Sequence, residues 1–247
     1  MTGHDGRRPA ATLVTCGILI VIAAEVLSGQ EHTRPELTLA QRCAGPQLER
    51  PPVIAAVLRA MSLHDDRAAS ATLDAIERHA QAAAEAAPLD AAAQYDLTVV
   101  FAARSDREGG RRKIMAAVQL QSQAQRVIAL VPDHPGAHYM LARLYAAVRR
   151  LDGLTRFLAS RMLGGKALLN PPWPQIQSHF EVAERGEPCE AEYHYELAVL
   201  YREQGAHAQA NRELQHVLDL TGGGDSRWGH MRRQAEAWLA SGKRPPQ

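Results

Sequence analysis

The residues best suited to chemistry are histidines and cysteines that lie near helix starts. His134 and His138 are four residues apart, a spacing that can present two imidazoles to a metal ion from one helix face. Pro135 follows His134, so His134 falls at or before the helix start, and no cysteine or carboxylate follows at ligand spacing. Capping or packing is the favoured role, and we expect no metal and no cofactor.

Nucleophilic chemistry has equally little support. Cys189 and His194 could form a nucleophile and its base, but no third group is placed to orient the histidine. The sequence also has no glycine-rich phosphate loop, no nucleophile elbow and no carboxylate pair in a catalytic context. We therefore expect a protein that is not an enzyme.

Two of the histidines head an eight-residue pattern, the octet, that occurs twice. Residues 138–145 read HYMLARLY, residues 194–201 read HYELAVLY, and residues 94–101 keep the pattern more weakly as QYDLTVVF. On a helix, the leucine, the alanine and the last aromatic residue form one tightly packed face. Because His138 and His194 recur at the same place, we expect both to be structural.

The octets belong to a chain with helical periodicity and few aromatic residues. Aromatic side chains make up 5% of the sequence, and Ala, Leu and Val supply most of the apolar volume. We predict an all-α, TPR-like helical-repeat solenoid with irregular insertions over residues 53–241, and Asp66 as the cap of its second helix. Its parts are repeats at about 91–132, 135–188 and 191–222, a helix inserted at 151–165, and a C-terminal cap helix at 226–241.

The N-terminal residues 1–29 have the pattern of an export signal. Arg7 and Arg8 precede an uncharged stretch, and small residues before Gln30 offer a cleavage site. An uncleaved helix that associates with the membrane through residues 10–27 is the alternative, and a cytosolic chain is a third interpretation. We expect a periplasmic or otherwise exported protein, or one anchored in the inner membrane. Residues 30–52 are predicted to be a linker.

Cysteines and overall charge limit the remaining choices. Cys43 and Cys189 would remain after cleavage, and they can pair in an oxidising compartment. Alternatively both stay as free thiols, because a chain of this length needs no covalent link to fold. The formal net charge is +1, from 28 basic and 27 acidic residues, so nothing points to a nucleic-acid partner.

The helix pairs resemble tetratricopeptide (TPR) repeats, whose front helix carries Leu, a small residue and Tyr, with Gly at the turn. The third repeat matches best, through Leu197, Ala198, Tyr201 and Gly205. A front helix followed by an inserted helix that ends in Gly-Gly resembles the TPR-like regulator of microtubule dynamics family and its bacterial relatives. Microtubule association belongs to the eukaryotic members of that family.

The resemblance implies a concave groove lined by the front helices. Its partner-binding residues would be Tyr95, Val99, Tyr139, Arg143, Tyr195, Val199 and Arg202. The alternative is that the tyrosines pack between helices and that both arginines lie on solvated faces. We expect a non-catalytic, exported or membrane-anchored scaffold that binds a protein or peptide. A binding module for a small molecule or lipid, held between the inserted helix and the groove, is the alternative.

Overall fold

The computed structural model describes residues 38–44, 51–153, 170–222 and 228–241. Every regular element in these ranges is an α-helix, which confirms the all-α class, and all of them fall in one compact unit, residues 37–247. The helices are α1 Leu39–Arg42, α2 Pro52–Ser62, α3 Asp66–Ala86, α4 Ala91–Arg107, α5 Gly110–Leu130, α6 Pro135–Arg150, α7 Trp173–Gly186, α8 Ala191–Glu203, α9 His207–Leu220 and α10 Gly229–Ser241.

Several sequence predictions fall outside these ranges. The N-terminal segment 1–29 and most of the predicted inserted helix at 151–165 belong to residues that the structure does not describe. Within the described ranges, none of the helices combines the length and apolar character that crossing a membrane requires.

Local capping explains where several helices begin. Asp65 caps α3, because its carboxylate accepts hydrogen bonds from the backbone N–H groups of Arg67 and Ala68. The prediction of Asp66 as the cap is wrong by one residue, since Asp66 is already the first helical residue. His134 caps α6, and its Nδ1 accepts from the N–H of Ala137 at 3.2 Å.

The turn between α8 and α9 depends on glycine, as predicted. Gly205 has φ +76°, a left-handed conformation that residues with a Cβ rarely adopt. The next residue, Ala206, donates its backbone N–H to the carbonyl of Tyr201 at 2.8 Å, which satisfies a carbonyl at the end of α8. The chain can therefore reverse sharply and start α9 at His207.

The closest packing joins helices that follow one another: α4 with α5, α6 with α7, and α8 with α9. We call the first member of each pair the front helix and the second the back helix. Successive pairs also touch, because α5 packs against α6 and α7 against α8, while α2 and α3 precede them and α10 follows α9. Ile176, Phe180 and Ala183 of α7 are fully buried. Each helix therefore buries one apolar face against its neighbours.

A disulfide joins the end of helix α1 to the loop before helix α8. Cys43, at the end of α1, bonds to Cys189, in the loop between α7 and α8, with 5.5 Å between their Cα atoms. Helix α1 also packs against α9. Of the two alternatives left open by the sequence, paired cysteines and free thiols, the structure has the pair.

Candidate functional site

Each front helix begins its octet with a buried polar residue, and each of these has the same two kinds of partner. Gln94, His138 and His194 are 2%, 8% and 0% exposed. In each residue, one side-chain nitrogen contacts a backbone carbonyl in the last turn of the preceding helix or just after it. Gln94 contacts Ala84 O at 2.8 Å, His138 contacts Pro132 O at 2.9 Å, and His194 contacts Pro188 O at 2.9 Å. The other end of each side chain contacts a back-helix residue: Gln123 at 2.5 Å, His179 at 2.8 Å and Glu213 at 2.8 Å.

These three back-helix residues occupy equivalent places. Gln123, His179 and Glu213 immediately precede Ala124, Phe180 and Leu214, each 0% exposed and each the inward anchor of its back helix. A buried polar group is costly unless it is hydrogen-bonded. The pairs therefore fix how each back helix aligns with its front helix, and the expectation that His138 and His194 are structural agrees with this geometry.

In the second pair both partners are imidazoles. A carbonyl oxygen only accepts, so we assign the hydrogen of His138 to Nε2, which donates to Pro132 O at 2.9 Å. Its Nδ1 then accepts from Nδ1–H of His179 at 2.8 Å. Burial, together with the neighbouring His138, lowers the pKa of His179 to about 4. His179 is therefore neutral near pH 7.

The third pair differs because the back-helix partner is a carboxylate. His194 donates from Nε2 to Pro188 O, and its Nδ1 lies 2.8 Å from Glu213 Oε2. Burial opposes a charge on His194, but the hydrogen bond to Glu213 raises its pKa. Burial likewise acts to raise the pKa of Glu213, but the hydrogen bond from His194 and the nearby His216 ring lower it to about 2. His216 Nδ1 approaches the same carboxylate at 3.5 Å.

The octet tyrosines that were predicted to bind a partner contact the next front helix or, for the last of them, α10. Tyr95 lies 4.5 Å from the ring of His134, centroid to centroid. Tyr139 lies 4.4 Å from Tyr193 at the start of α8. Tyr195 stacks on Trp238 of α10 at 5.4 Å. Each tyrosine therefore packs between successive front helices or against α10.

The exposed fractions of individual groove residues also indicate packing between helices. Tyr139 is 2% exposed and Val99 is 7% exposed, which leaves little of either side chain for a partner to contact. Arg202 is 8% exposed and lies 5.7 Å from the Trp238 ring centroid, while Val199 packs against the cluster around Trp238. Tyr139, Val99 and Arg202 are therefore packed inside the fold, and Arg202 does not lie on a solvated face. A groove role for the partly buried Val199 stays a prediction.

Arg143 is the predicted groove residue that lies among other polar side chains on a half-exposed surface. Its guanidinium lies 3.8 Å from Asp106 of α4, and 3.7 Å from both Glu192 and Glu196 of α8. We call these four residues the Arg143 cluster. The side chains of Arg143 and Glu192 are 36% and 37% exposed, and that of Asp106 is 50% exposed. Three helices thus direct their charges to one place.

The Arg143 cluster has more negative than positive charge. Three carboxylates face one guanidinium, and none of the distances, 3.7–3.8 Å, is that of a direct hydrogen bond. Burial raises the pKa of Glu196, against the opposing effect of Arg143. The Tyr139 ring lies beneath the guanidinium, 5.7 Å away. Sequence reasoning missed all three carboxylates, although Glu196 stands inside an octet.

The remaining sequence candidates for chemistry have structural explanations. His134 is the cap of α6, so its Nδ1 is occupied at the helix start rather than facing a metal with His138. Cys189 forms a disulfide and has no thiol to act as a nucleophile. The small-ligand alternative requires the inserted helix, most of which lies outside the described residues, so it stays a prediction.

In the residues that the structure describes, helix pairs joined by buried polar contacts define an all-helical fold. A family model described as regulator of microtubule dynamics protein 1-3 matches residues 54–237, about three quarters of the chain. The chain belongs to this family, which confirms the resemblance to the regulator of microtubule dynamics family. The assignment to TPR repeats stays a prediction. No curated protein matches the sequence.

Proposed function

We propose that this chain is a non-catalytic scaffold whose TPR-like front helices bind a segment of another protein. The family match is compatible with a role in protein interaction. The three equivalent polar contacts at Gln94, His138 and His194 support a repeated helix-pair design. The family name refers to microtubules, and we propose a protein partner without assigning it to the cytoskeleton.

The Arg143 cluster is the observation that carries this proposal, and it favours a cationic partner segment. Asp106, Glu192 and Glu196 share one guanidinium at distances that leave carboxylate lone pairs for other donors. A lysine or arginine of the partner would add charge-assisted hydrogen bonds and offset the excess of negative charge. Electrostatic complementarity of this kind favours specificity and fast association.

A neighbouring ion pair between the same two helices has balanced charge, unlike the Arg143 cluster. Arg150 and Glu203 also link α6 to α8, but Arg150 donates directly to both oxygens of the carboxylate, at 2.8 and 3.2 Å. One positive charge meets one negative charge, so little is gained from a further ion. The Arg143 cluster, in contrast, holds three carboxylates for its single cation.

We also propose that the scaffold works in an oxidising compartment. The disulfide between Cys43 and Cys189 supports export, because structural disulfides persist in secreted and periplasmic proteins and are rare in the reducing cytosol. The signal-like pattern of residues 1–29 points in the same direction.

Peptide binding tests the proposed surface. We would measure fluorescence anisotropy of labelled extended peptides with basic, neutral or acidic side chains against the full chain at low and high salt. Basic peptides should bind best, and salt should weaken them most. Neutralising two partly exposed carboxylates, in Asp106→Asn/Glu192→Gln, should weaken basic peptides roughly tenfold, since exposed charge pairs are worth about 0.2–1 kcal/mol each.

The matched control is Glu85→Gln/Asp219→Asn, which changes the net charge equally at two exposed carboxylates on α3 and α9. It should leave peptide binding close to that of the unmodified chain. Equal weakening by both double variants would show a general charge effect and refute the assignment to the Arg143 cluster. Preference for acidic peptides would also refute it.

A further inference from the structure

We propose that His194, Glu213 and His216 form a binding site for one divalent transition-metal ion such as Zn²⁺. The proposal is independent of peptide binding at the Arg143 cluster. It rests on side chains of α8 and α9, which are the front and back helices of one pair.

The three ligand atoms are already close together. His194 Nδ1 lies 2.8 Å from Glu213 Oε2, His216 Nδ1 lies 3.5 Å from the same oxygen, and one ligand atom from each residue lies within 4.8 Å of the others. Bonds of about 2.0–2.2 Å from zinc to nitrogen and oxygen require tetrahedral ligands to be roughly 3.3–3.5 Å apart. To accommodate the ion, His194 and Glu213 would open by about half an ångström, and any pair as wide as 4.8 Å would close to this range.

The orientation of His194 is that of a metal ligand with a supporting hydrogen bond. Its Nε2–H donates to Pro188 O at 2.9 Å, which directs Nδ1 towards Glu213. Metal-bound histidines usually donate their second ring N–H to a carbonyl or carboxylate, and this contact fixes the ring. The ion would replace the hydrogen that Nδ1 shares with Glu213, and that proton would pass to solvent.

His216 supplies an independent observation. Its Nδ1 is buried and has no hydrogen-bond partner among the described residues, although the side chain as a whole is 39% exposed. A buried ring nitrogen without a partner is unfavourable unless something else binds it. This nitrogen faces Glu213 at 3.5 Å, so a cation shared by both would satisfy it.

The other helix pairs lack this set of ligands. Val182 takes the place of His216 in the second pair, where only two imidazoles, His138 and His179, meet. The first pair has two amides, Gln94 and Gln123, at the corresponding places. The third pair is therefore distinguished by two imidazoles and a carboxylate, a set that suits zinc better than magnesium or calcium.

Access is also consistent with an ion that enters from solvent. The side chain of His216 is partly exposed, so an ion can approach from solvent past His216. The His194 side chain, in contrast, is 1% exposed. Three protein ligands leave a fourth position for water or another small ligand. Glu213 and His216 lie three residues apart on one helix, a frame that holds both ligands in place.

Metal titration of the full, untagged chain with its disulfide intact tests the site. After removal of metals with a chelator, Zn²⁺ should bind with one equivalent in calorimetry, and Co²⁺ should give the visible absorption of a nitrogen- and oxygen-ligated site. His216→Val, which copies the second pair, should weaken Zn²⁺ binding roughly 100-fold or more, because even supporting contacts to ligands are worth about 10- to 100-fold. Glu213→Gln should weaken it as well, without removing a hydrogen-bonding group.

His207→Val is the matched control, because His207 is an exposed histidine on the same helix. It should leave the affinity for Zn²⁺ unchanged. Circular dichroism would establish that each variant is folded before titration. Absence of one-equivalent binding to the unmodified chain would overturn the proposal. Equal effects of the substitutions at positions 216 and 207 would overturn it too, since they would indicate binding to surface histidines.

Discussion

Replacing His179 with glutamine should remove a dependence of stability on acid that the histidine pair introduces. His138 and His179 join Nδ1 to Nδ1 at 2.8 Å, an arrangement that holds one hydrogen between two nitrogens. Protonating His179 adds a hydrogen at its Nε2 and places a positive charge in a partly buried position beside His138. Glutamine can instead donate through its nitrogen or accept through its oxygen after a flip, and Gln123 shows that it fits the equivalent place.

The direction and size of this change in stability follow from the pKa of His179. Burial and His138 lower it from 6.5 to about 4, so between these values the unfolded chain binds more protons than the folded chain. The contribution of neutral His179 to the free energy of unfolding is complete above pH 6.5 and is lost as the pH falls towards 4. The shift would correspond to about 3 kcal/mol for a fully buried group, and partial exposure reduces this to about 1–2 kcal/mol.

Urea unfolding followed by circular dichroism at pH 7.5 and pH 4.5 measures this effect. Other groups titrate in the same range, so the relevant quantity is the difference between His179→Gln and the unmodified chain at each pH. That difference should shift in favour of the variant by about 1–2 kcal/mol at the lower pH. His64→Gln, at an exposed histidine, should show no such shift. An unchanged difference for His179→Gln would refute the reasoning.

Two further substitutions test packing and the covalent link. Gly136→Ala should lower the free energy of unfolding by about 1–3 kcal/mol, because a Cβ there would overlap the Tyr95 ring; Tyr95→Leu in the same chain should restore part of the loss in urea unfolding, and an additive further loss would contradict this explanation. Cys43→Ser/Cys189→Ser should lower the free energy of unfolding by about 2–5 kcal/mol; a thiol assay that finds both cysteines free in the unreduced protein would contradict the bridge.

Periodicity predicted the helices well because it reports directly on burial. The third repeat was expected to begin at about residue 191, and its front helix α8 is Ala191–Glu203. Boundaries were less certain where two residues could perform the same task. Asp65 and Asp66 can both cap a helix, and only the direction of each side chain decides which of them accepts from the backbone.

The candidate site was harder to predict because exposure depends on the neighbouring helix. Tyr139 and Tyr195 occupy the second octet position, where a TPR-type groove would expose them, but Tyr193 of α8 packs against the first ring and Trp238 of α10 stacks on the second. Sequence spacing within a helix reports which residues share a face, and it does not report what lies against that face. Both rings pack between helices, and a partner-binding role for the partly buried Tyr195 stays a prediction.

The repeated polar contacts could have been found from the sequence, whereas the Arg143 cluster and the disulfide could not. Aligning the back helices on Ala124, Phe180 and Leu214 would have placed Gln123, His179 and Glu213 at one position, so this repeat was detectable. The approach of Asp106 to Arg143 was not, because it joins different helix pairs at residues without a pattern. Pairing of Cys43 with Cys189, separated by 146 residues, likewise depends on the folded arrangement.

The disulfide also makes most of the chain a closed covalent ring. Residues 43–189 form the ring, which contains α2 to α7, whereas α8, α9 and α10 follow it as a tail. A single cut by a protease inside the ring leaves both fragments in one molecule until the bridge is reduced. A single cut in the tail leaves the C-terminal piece without a covalent link to the rest of the molecule. The bridge thus protects the first two helix pairs against loss by cleavage and leaves the third pair, with Glu213 and His216, without that protection.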